Sequence, residues 1–138
     1  YEPGDYTHQN WIYGDSGDGG RYPDESTLDY YIDSERYLPR DKSSLEYNLR
    51  VTVDWARREG VPLYLGEFGA NNSTFEEGKG GLQWVEDMID LAFDHDLHFT
   101  YWSYHADDFG VYRRGEERVD PADVNQGLVD LFREKLSR

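Results

Sequence analysis

Pro62-Leu63-Tyr64-Leu65-Gly66-Glu67-Phe68-Gly69 is a short apolar run that ends on a carboxylate held between two glycines. It reads as a strand, and alternation places Leu63, Leu65 and Glu67 on one face and Tyr64 and Phe68 on the other. Apolar residues on both faces are expected of a strand in a parallel sheet covered on both sides. A carboxylate at the end of such a strand is costly unless it sits at the open end of the sheet, in a site that uses it. The flanking glycines let the backbone turn sharply and leave room for a ligand. The competing reading is a structural acid capping the next loop, since ionisable groups also serve structural networks.

Working outward, helical and strand patterns alternate. Ser43 and Glu46 form a capping-box pattern, and Leu45, Leu49, Val53 and Ala56 recur at helical spacing up to Gly60. After the strand, a polar loop from Gly69 to Gly81 leads into a second helix with Leu82, Val85, Met88, Ile89, Ala92 and Phe93 on its buried stripe. His98 to Trp102 reads as a second strand, with His98, Thr100 and Trp102 on one face and Phe99 and Tyr101 on the other. A third helix is expected to open at Asp120-Pro121 and to bury Val124, Leu128, Leu131 and Phe132. The order α-β-α-β-α is that of an α/β protein with a parallel sheet and helical crossovers. Residues 10–42, rich in Gly, Asp and Tyr, read as one long irregular segment, and no internal repeat is present.

Composition narrows the function. The net charge is −15, which makes nucleic acid and anionic membranes poor partners. Lysine occurs only at Lys42, Lys79 and Lys135 and Asp outnumbers Glu, a balance that fits a protein adapted to high salt, an ordinary acidic secreted protein being the alternative. The absence of cysteine excludes disulfides and thiolate metal sites. No stretch is apolar enough for a membrane helix or a signal peptide. The only methionine is Met88, and residues 1–3 read as the end of a strand entering a loop, so we expect a piece of a larger protein. No His/Asp/Glu set has metal-ligand spacing. The Asp-Gly run from Asp15 to Gly20 lacks a bidentate Glu at the calcium-loop distance and reads as a solvated loop, so neither metal nor cofactor is expected.

Glu67 and Trp102 occupy equivalent ends of the two strands, where sites assemble in parallel α/β proteins. An indole beside a carboxylate suits a sugar, the ring stacking on the pyranose while the acid addresses the anomeric carbon. Trp102 alone would read as core packing; its pairing with Glu67 favours the site. His8 and His105 either contact sugar hydroxyls or brace Glu67, whereas His95 and His98 read as structural. Trp11 and Tyr13 either line outer sugar subsites or staple the long segment to the body of the protein. Asp107 and Asp108 are the nearest candidates for a second acid, but read as solvated loop charges.

These residues resemble glycoside hydrolase family 5. Tyr1-Glu2-Pro3 with Tyr6-Thr7-His8-Gln9 is similar to the segment after the sixth strand of that family's barrel, and Gly66-Glu67-Phe68-Gly69 to its seventh-strand nucleophile motif. Tyr101-Trp102-Ser103-Tyr104-His105 with Phe109-Gly110-Val111-Tyr112 resembles the eighth strand and its loop, and Asn125-Gln126 with Leu128 to Phe132 the closing helix. The resemblance implies the C-terminal portion, about strands 6–8 with their helices, of a (β/α)8 TIM barrel. Residues 1–138 would be a partial catalytic domain whose N-terminal half is missing. It implies a secreted, retaining endo-β-glycanase of the cellulase type acting on a β-1,4-linked polysaccharide. A β-mannanase, another β-glucanase or a non-catalytic carbohydrate-binding fragment are the alternatives. By the same resemblance Glu67 is the nucleophile, Trp102 the sugar platform and Tyr1 a hydrogen-bond partner near the nucleophile, with His8, His105 and Trp11 as further substrate contacts. The acid/base would precede residue 1, which would leave this chain inactive alone. Tyr6 stands where the family usually has Phe, and the segment from Trp11 to Arg40 has no counterpart there.

Overall fold

A computed structural model describes residues 1–14, 18–105, 107–113 and 120–137. Two short helices, α1 (Gly4–Thr7) and α2 (Gln9–Tyr13), precede a hairpin of β1 (Asp24–Tyr31) and β2 (Arg36–Arg40). Helix α3 (Lys42–Glu59), strand β3 (Tyr64–Phe68), helix α4 (Gly81–Asp94), strand β4 (His98–Tyr101) and helix α5 (Gln126–Leu136) follow. Strands β3 and β4 pair in parallel, with α4 as the crossover between them, as the alternating pattern anticipates.

The core lies on one side of this sheet. Phe68 is fully buried and its ring meets Trp84, Phe99 and Tyr101 at centroid distances of 6.1, 5.5 and 5.6 Å. Val85, Ile89 and Leu91 from α4, Leu45 from α3 and Leu128 from α5 complete the cluster. The other side, carrying Tyr64, His98 and Thr100, is exposed in this chain, and the Tyr64 hydroxyl pairs with Thr100 Oγ1. Sheet coverage on both sides, anticipated from the apolar run, is therefore met on one side only among the described residues.

Several sequence expectations are corrected. The long segment is not irregular: it holds α2 and the antiparallel hairpin. Its strands escape a reading by alternation because the pattern is mixed: Tyr31 is buried on the same face as a charged residue. Asp29 points inward, where its carboxylate is bound by Arg40 Nε at 2.6 Å and Nη2 at 2.5 Å, while Leu28, Tyr30 and Ile32 face outward. Helix α3 is capped by Asp41, whose carboxylate accepts from the Ser44 N–H at 2.9 Å, not by Ser43. Asp120 caps only a single turn at Pro121–Asp123. Val124 then bridges to Tyr112, and α5 starts later with Asn125 as its cap. In α4, Leu82 and Phe93 are half exposed, and Trp84, absent from the expected stripe, is completely buried, its Nε1–H donating to the Glu2 carbonyl at 3.0 Å. Residues 1–3 pair with no strand among the described residues. Asp15, Ser16 and Gly17, half of the Asp-Gly run, lie outside the described residues.

Candidate active site

The decisive local feature is a bulge in β3. Leu65 pairs with Phe99 and Phe68 pairs with Tyr101, so three steps along β3 match two along β4. Leu65 and Phe68 both join the core, which leaves Gly66 and Glu67 to span the opposite side. Glu67 is thus exposed and does not share a face with Leu65, contrary to simple alternation. A bulge inserts one unpaired residue and re-aims the side chain that follows.

The Tyr1 hydroxyl donates to Glu67 Oε1. Burial first, and then the hydrogen bond and charge of Glu67, push the Tyr1 phenol far above its usual range, so it remains a proton donor to the carboxylate. Tyr1 belongs to a knot of rings: its centroid is 4.9 Å from His8 and 5.7 Å from Phe109, and Trp11 lies 5.1 Å from His8 and 5.2 Å from Phe109. Phe109 is nearly inaccessible, whereas Trp11 is 62 % exposed, so the knot is anchored at one end and open at the other.

The hydrogen bonds around Thr7 set the state of His8. Thr7 Oγ1 donates to the Tyr1 carbonyl at 2.6 Å and lies 2.9 Å from His8 Nδ1. A hydroxyl has one proton to give, so the network assigns the imidazole proton to Nδ1, leaving Nε2 as an acceptor. Burial lowers the His8 pKa, which keeps the ring neutral and that lone pair free.

Trp102 follows β4 directly and is tied to β3 by its N–H, which donates to the Phe68 carbonyl at 2.8 Å. Its ring is 41 % exposed, on the side opposite the core, and the Trp102–Ser103 peptide is cis. Gly69 accommodates this crossing: a Cβ there would lie 2.1 Å from the Trp102 carbonyl oxygen. The space left by Gly69 is therefore filled by backbone rather than by a ligand. After Trp102, Val111 N–H donates to Ser103 O at 2.8 Å and Tyr112 N–H to Tyr104 O at 3.3 Å, and this returning loop carries Phe109 into the ring knot.

Of the residues singled out in the sequence, the structure brings Glu67, Tyr1, His8 and Trp11 into one connected group, with Trp102 at the adjacent strand end. His105 is half buried, and its Nε2 has no hydrogen-bond partner among the described residues. Asp108 is exposed within the turn Asp107–Phe109. His95 lies beside Arg57, with Nδ1 3.4 Å from Nη2, and His98 opens β4. Sequence reasoning missed Phe109 as the anchor of the knot and Thr7 as the group that orients His8. No signal short of the fold would have joined residues a hundred positions apart. Among the described residues, no cluster of three or more His, Cys, Asp or Glu has the geometry of a metal site, and no helix is long and apolar enough to cross a membrane.

Known proteins resemble the chain in sequence and in fold. Endoglucanase C of Acetivibrio thermocellus is 28 % identical over 95 residues, covering 69 % of this chain and 26 % of that protein. Among solved structures, Thermotoga maritima Cel5A in complex with mannotriose superposes with a TM-score of 0.65 at 21 % identity, over 95 % of this chain and 36 % of its own. The cellulose synthase subunit Z (CcsZ) of Clostridioides difficile gives 0.58 at 25 % identity, over 94 % and 38 %. The chain thus spans about a quarter of the curated relatives' length, and its α/β architecture is that of part of a (β/α)8 barrel. The sequence profile of the cellulase family (glycosyl hydrolase family 5) matches residues 1–108, and the chain belongs to that family.

Proposed function

We propose that this chain carries the nucleophile side of a retaining endo-β-glycanase acting on a β-1,4-linked polysaccharide. The observation that carries this reading is the Tyr1 hydroxyl donating to Glu67 Oε1 on the open side of β3, beside the ring knot and Trp102. In this reading β3 and β4 are the seventh and eighth strands of the barrel, and residues 1–138 form its C-terminal part. The N-terminal half, including the acid/base, lies outside the chain. A polymeric substrate is not taken up whole, so the enzyme works outside the cell.

Retention requires two carboxyl groups about 5 Å apart, one ionised and one protonated. Glu67 attacks the anomeric carbon through the oxygen that Tyr1 leaves free. The C–O bond to the leaving sugar breaks, and the second carboxyl protonates the departing oxygen. Water, deprotonated by that second group, then releases the glycosyl unit and restores Glu67. Tyr1 fixes the carboxylate's orientation, Trp102 stacks on the sugar being cleaved, and neutral His8 offers Nε2 to a sugar hydroxyl. In this reading His105 serves as a further polar contact and Trp11 as an aromatic wall. One relative has been crystallised with mannotriose, so glucan and mannan are both to be assayed.

The test uses the complete catalytic domain. A 2-deoxy-2-fluoro glycoside should trap a covalent adduct on the peptide containing Glu67. Glu67→Gln should lose turnover by several orders of magnitude and keep sugar binding, whereas Trp102→Ala should weaken both. Adduct on another carboxylate, or an inverted product by NMR, would remove Glu67 from this role. Sugar binding without turnover in the wild type would make the chain a carbohydrate-binding protein instead.

A further inference from the structure

Beyond the ring knot, α1 and α2 face the β1–β2 hairpin across a cavity of about 240 Å³, whose walls include Asp5, Ile12, Tyr30 and Ile32. Its apolar walls are open to solvent: Ile12 is 49 %, Tyr30 47 % and Ile32 67 % exposed. Such a cluster is unusual on a chain of net charge −15, because exposed apolar patches on acidic surfaces mark contact sites. The cavity is also a built one. Glu2 and Gly4 at the start of α1 share its lining with Ile32 of the hairpin turn. The Tyr30 ring is braced by Tyr37, its cross-strand partner, at a centroid distance of 5.3 Å. Asp29, also in the lining, is occupied by Arg40, which leaves Asp5 and Glu2 as the lining carboxylates outside the hairpin's own ion pair.

We propose that this cavity is an outer sugar-binding subsite, in which Tyr30 stacks on a pyranose ring, Ile12 and Ile32 flank it and Asp5 accepts from a hydroxyl. The choice of occupant follows from chemistry and continuity. Among the described residues the lining contains no Lys or Arg, which disfavours anionic ligands, and it combines one aromatic face with aliphatic walls and a carboxylate acceptor, the mixture that recognises a neutral, hydroxylated ring. It adjoins the candidate active site through two pairs of chain neighbours. Trp11 belongs to the ring knot and Ile12 to the cavity, while Tyr1 binds Glu67 and Glu2 lines the cavity. The cavity therefore lies within one residue of the ring knot along the chain, close enough for the hairpin to offer a neighbouring surface to a bound sugar chain. Its volume, near the low end of the ~300–1,000 Å³ usual for ligand pockets, suits a single sugar unit.

The inference rests on the glycanase reading, and the experiment separates the two. In the complete catalytic domain, Tyr30→Ala should lower kcat/KM on cellohexaose about tenfold while cellotriose is unaffected, and Tyr30→Phe should restore the hexasaccharide rate. In a Glu67→Gln background, Tyr30→Ala should weaken cellohexaose binding by a similar factor in calorimetry. If the wild type cleaves manno-oligosaccharides instead, mannotriose and mannohexaose replace the cello series. Equal losses on short and long substrates, or none on the long one, would overturn the subsite and leave the glycanase reading intact. A wild-type protein that neither cleaves nor binds either series would overturn both.

Discussion

Gly66 and Gly69 flank the same carboxylate, yet their substitution by alanine should have opposite consequences. A Cβ on Gly69 would stand 2.1 Å from the Trp102 carbonyl oxygen and 3.2 Å from its carbon, both backbone atoms. Contacts of this kind are comfortable only at ~3.5 Å, so the two segments must separate by more than about 1 Å. The displacement is not easily absorbed, because the Trp102 N–H is bound to Phe68 O at 2.8 Å and Ser103 is pinned through Val111 N–H at 2.8 Å. Moving this crossing moves Trp102 relative to Glu67. A misplacement of about 1 Å in a reacting geometry costs on the order of 100-fold.

Gly69→Ala in the complete domain should therefore lower kcat/KM about 100-fold and stability by about 1–3 kcal/mol, the usual penalty of overpacking. At Gly66 the nearest atoms to an added Cβ are Tyr64 Cε1 at 3.6 Å and Cδ1 at 3.8 Å, ordinary contacts on an exposed ring. Gly66→Ala should stay within about threefold of wild type, since it displaces nothing. Initial rates on an oligosaccharide together with urea melts measure both. Activity of Gly69→Ala near wild type, or an equal loss in Gly66→Ala, would refute the claim that Gly69 exists to admit the Trp102 backbone.

Two further predictions concern stability. Asp29→Asn leaves the Arg40 guanidinium buried without its counter-charge and should destabilise by about 3–5 kcal/mol in denaturant melts, whereas Asp29→Leu with Arg40→Met should recover most of that loss; equal melts for single and double variants would refute the pairing argument. With a net charge of −15, repulsion should weaken the compact state in dilute buffer and be screened above about 0.1 M salt, where the Debye length falls to ~10 Å. The Tm should then rise between dilute buffer and molar NaCl, and a flat or falling Tm would reduce the salt-adapted reading to mere acidity.

What the sequence discloses about the fold follows the strength of its periodicity. Helix α3 and the strands β3 and β4 were legible because Leu45, Val53, Ala56, Phe68 and Phe99 bury themselves at the spacing their elements require. The hairpin was not, because charged Asp29 points inward beside Tyr31 while apolar Leu28 and Tyr30 point outward, so alternation gives no consistent apolar face. The Asp29–Arg40 pair that makes sense of it is closed only by tertiary structure. Trp84 was overlooked for a related reason: its burial depends on a carbonyl 82 residues away accepting its Nε1–H. Helix α5 begins late because Val124 is drawn into a bridge with Tyr112, a partner that local signals cannot reveal.

The candidate site shows a subtler limit. Glu67 and Trp102 were placed at matching strand ends by parity, and both do lie on the open side of the sheet, but parity alone would have put Glu67 with Leu65 in the core. A slip of one residue reverses the side to which every later residue points. The bulge between Leu65 and Phe68 supplies that slip, keeping Leu65 and Phe68 both inside while Glu67 turns out to meet Tyr1. Gly66 sits within the bulge, where its missing side chain leaves the ring of Tyr64 undisturbed. The apolar strand and the exposed carboxylate are therefore compatible only because the ladder is irregular at this point. A β3 with regular pairing would have to bury Glu67 beside Leu65 and expose Phe68, or bury Phe68 and expose Leu65.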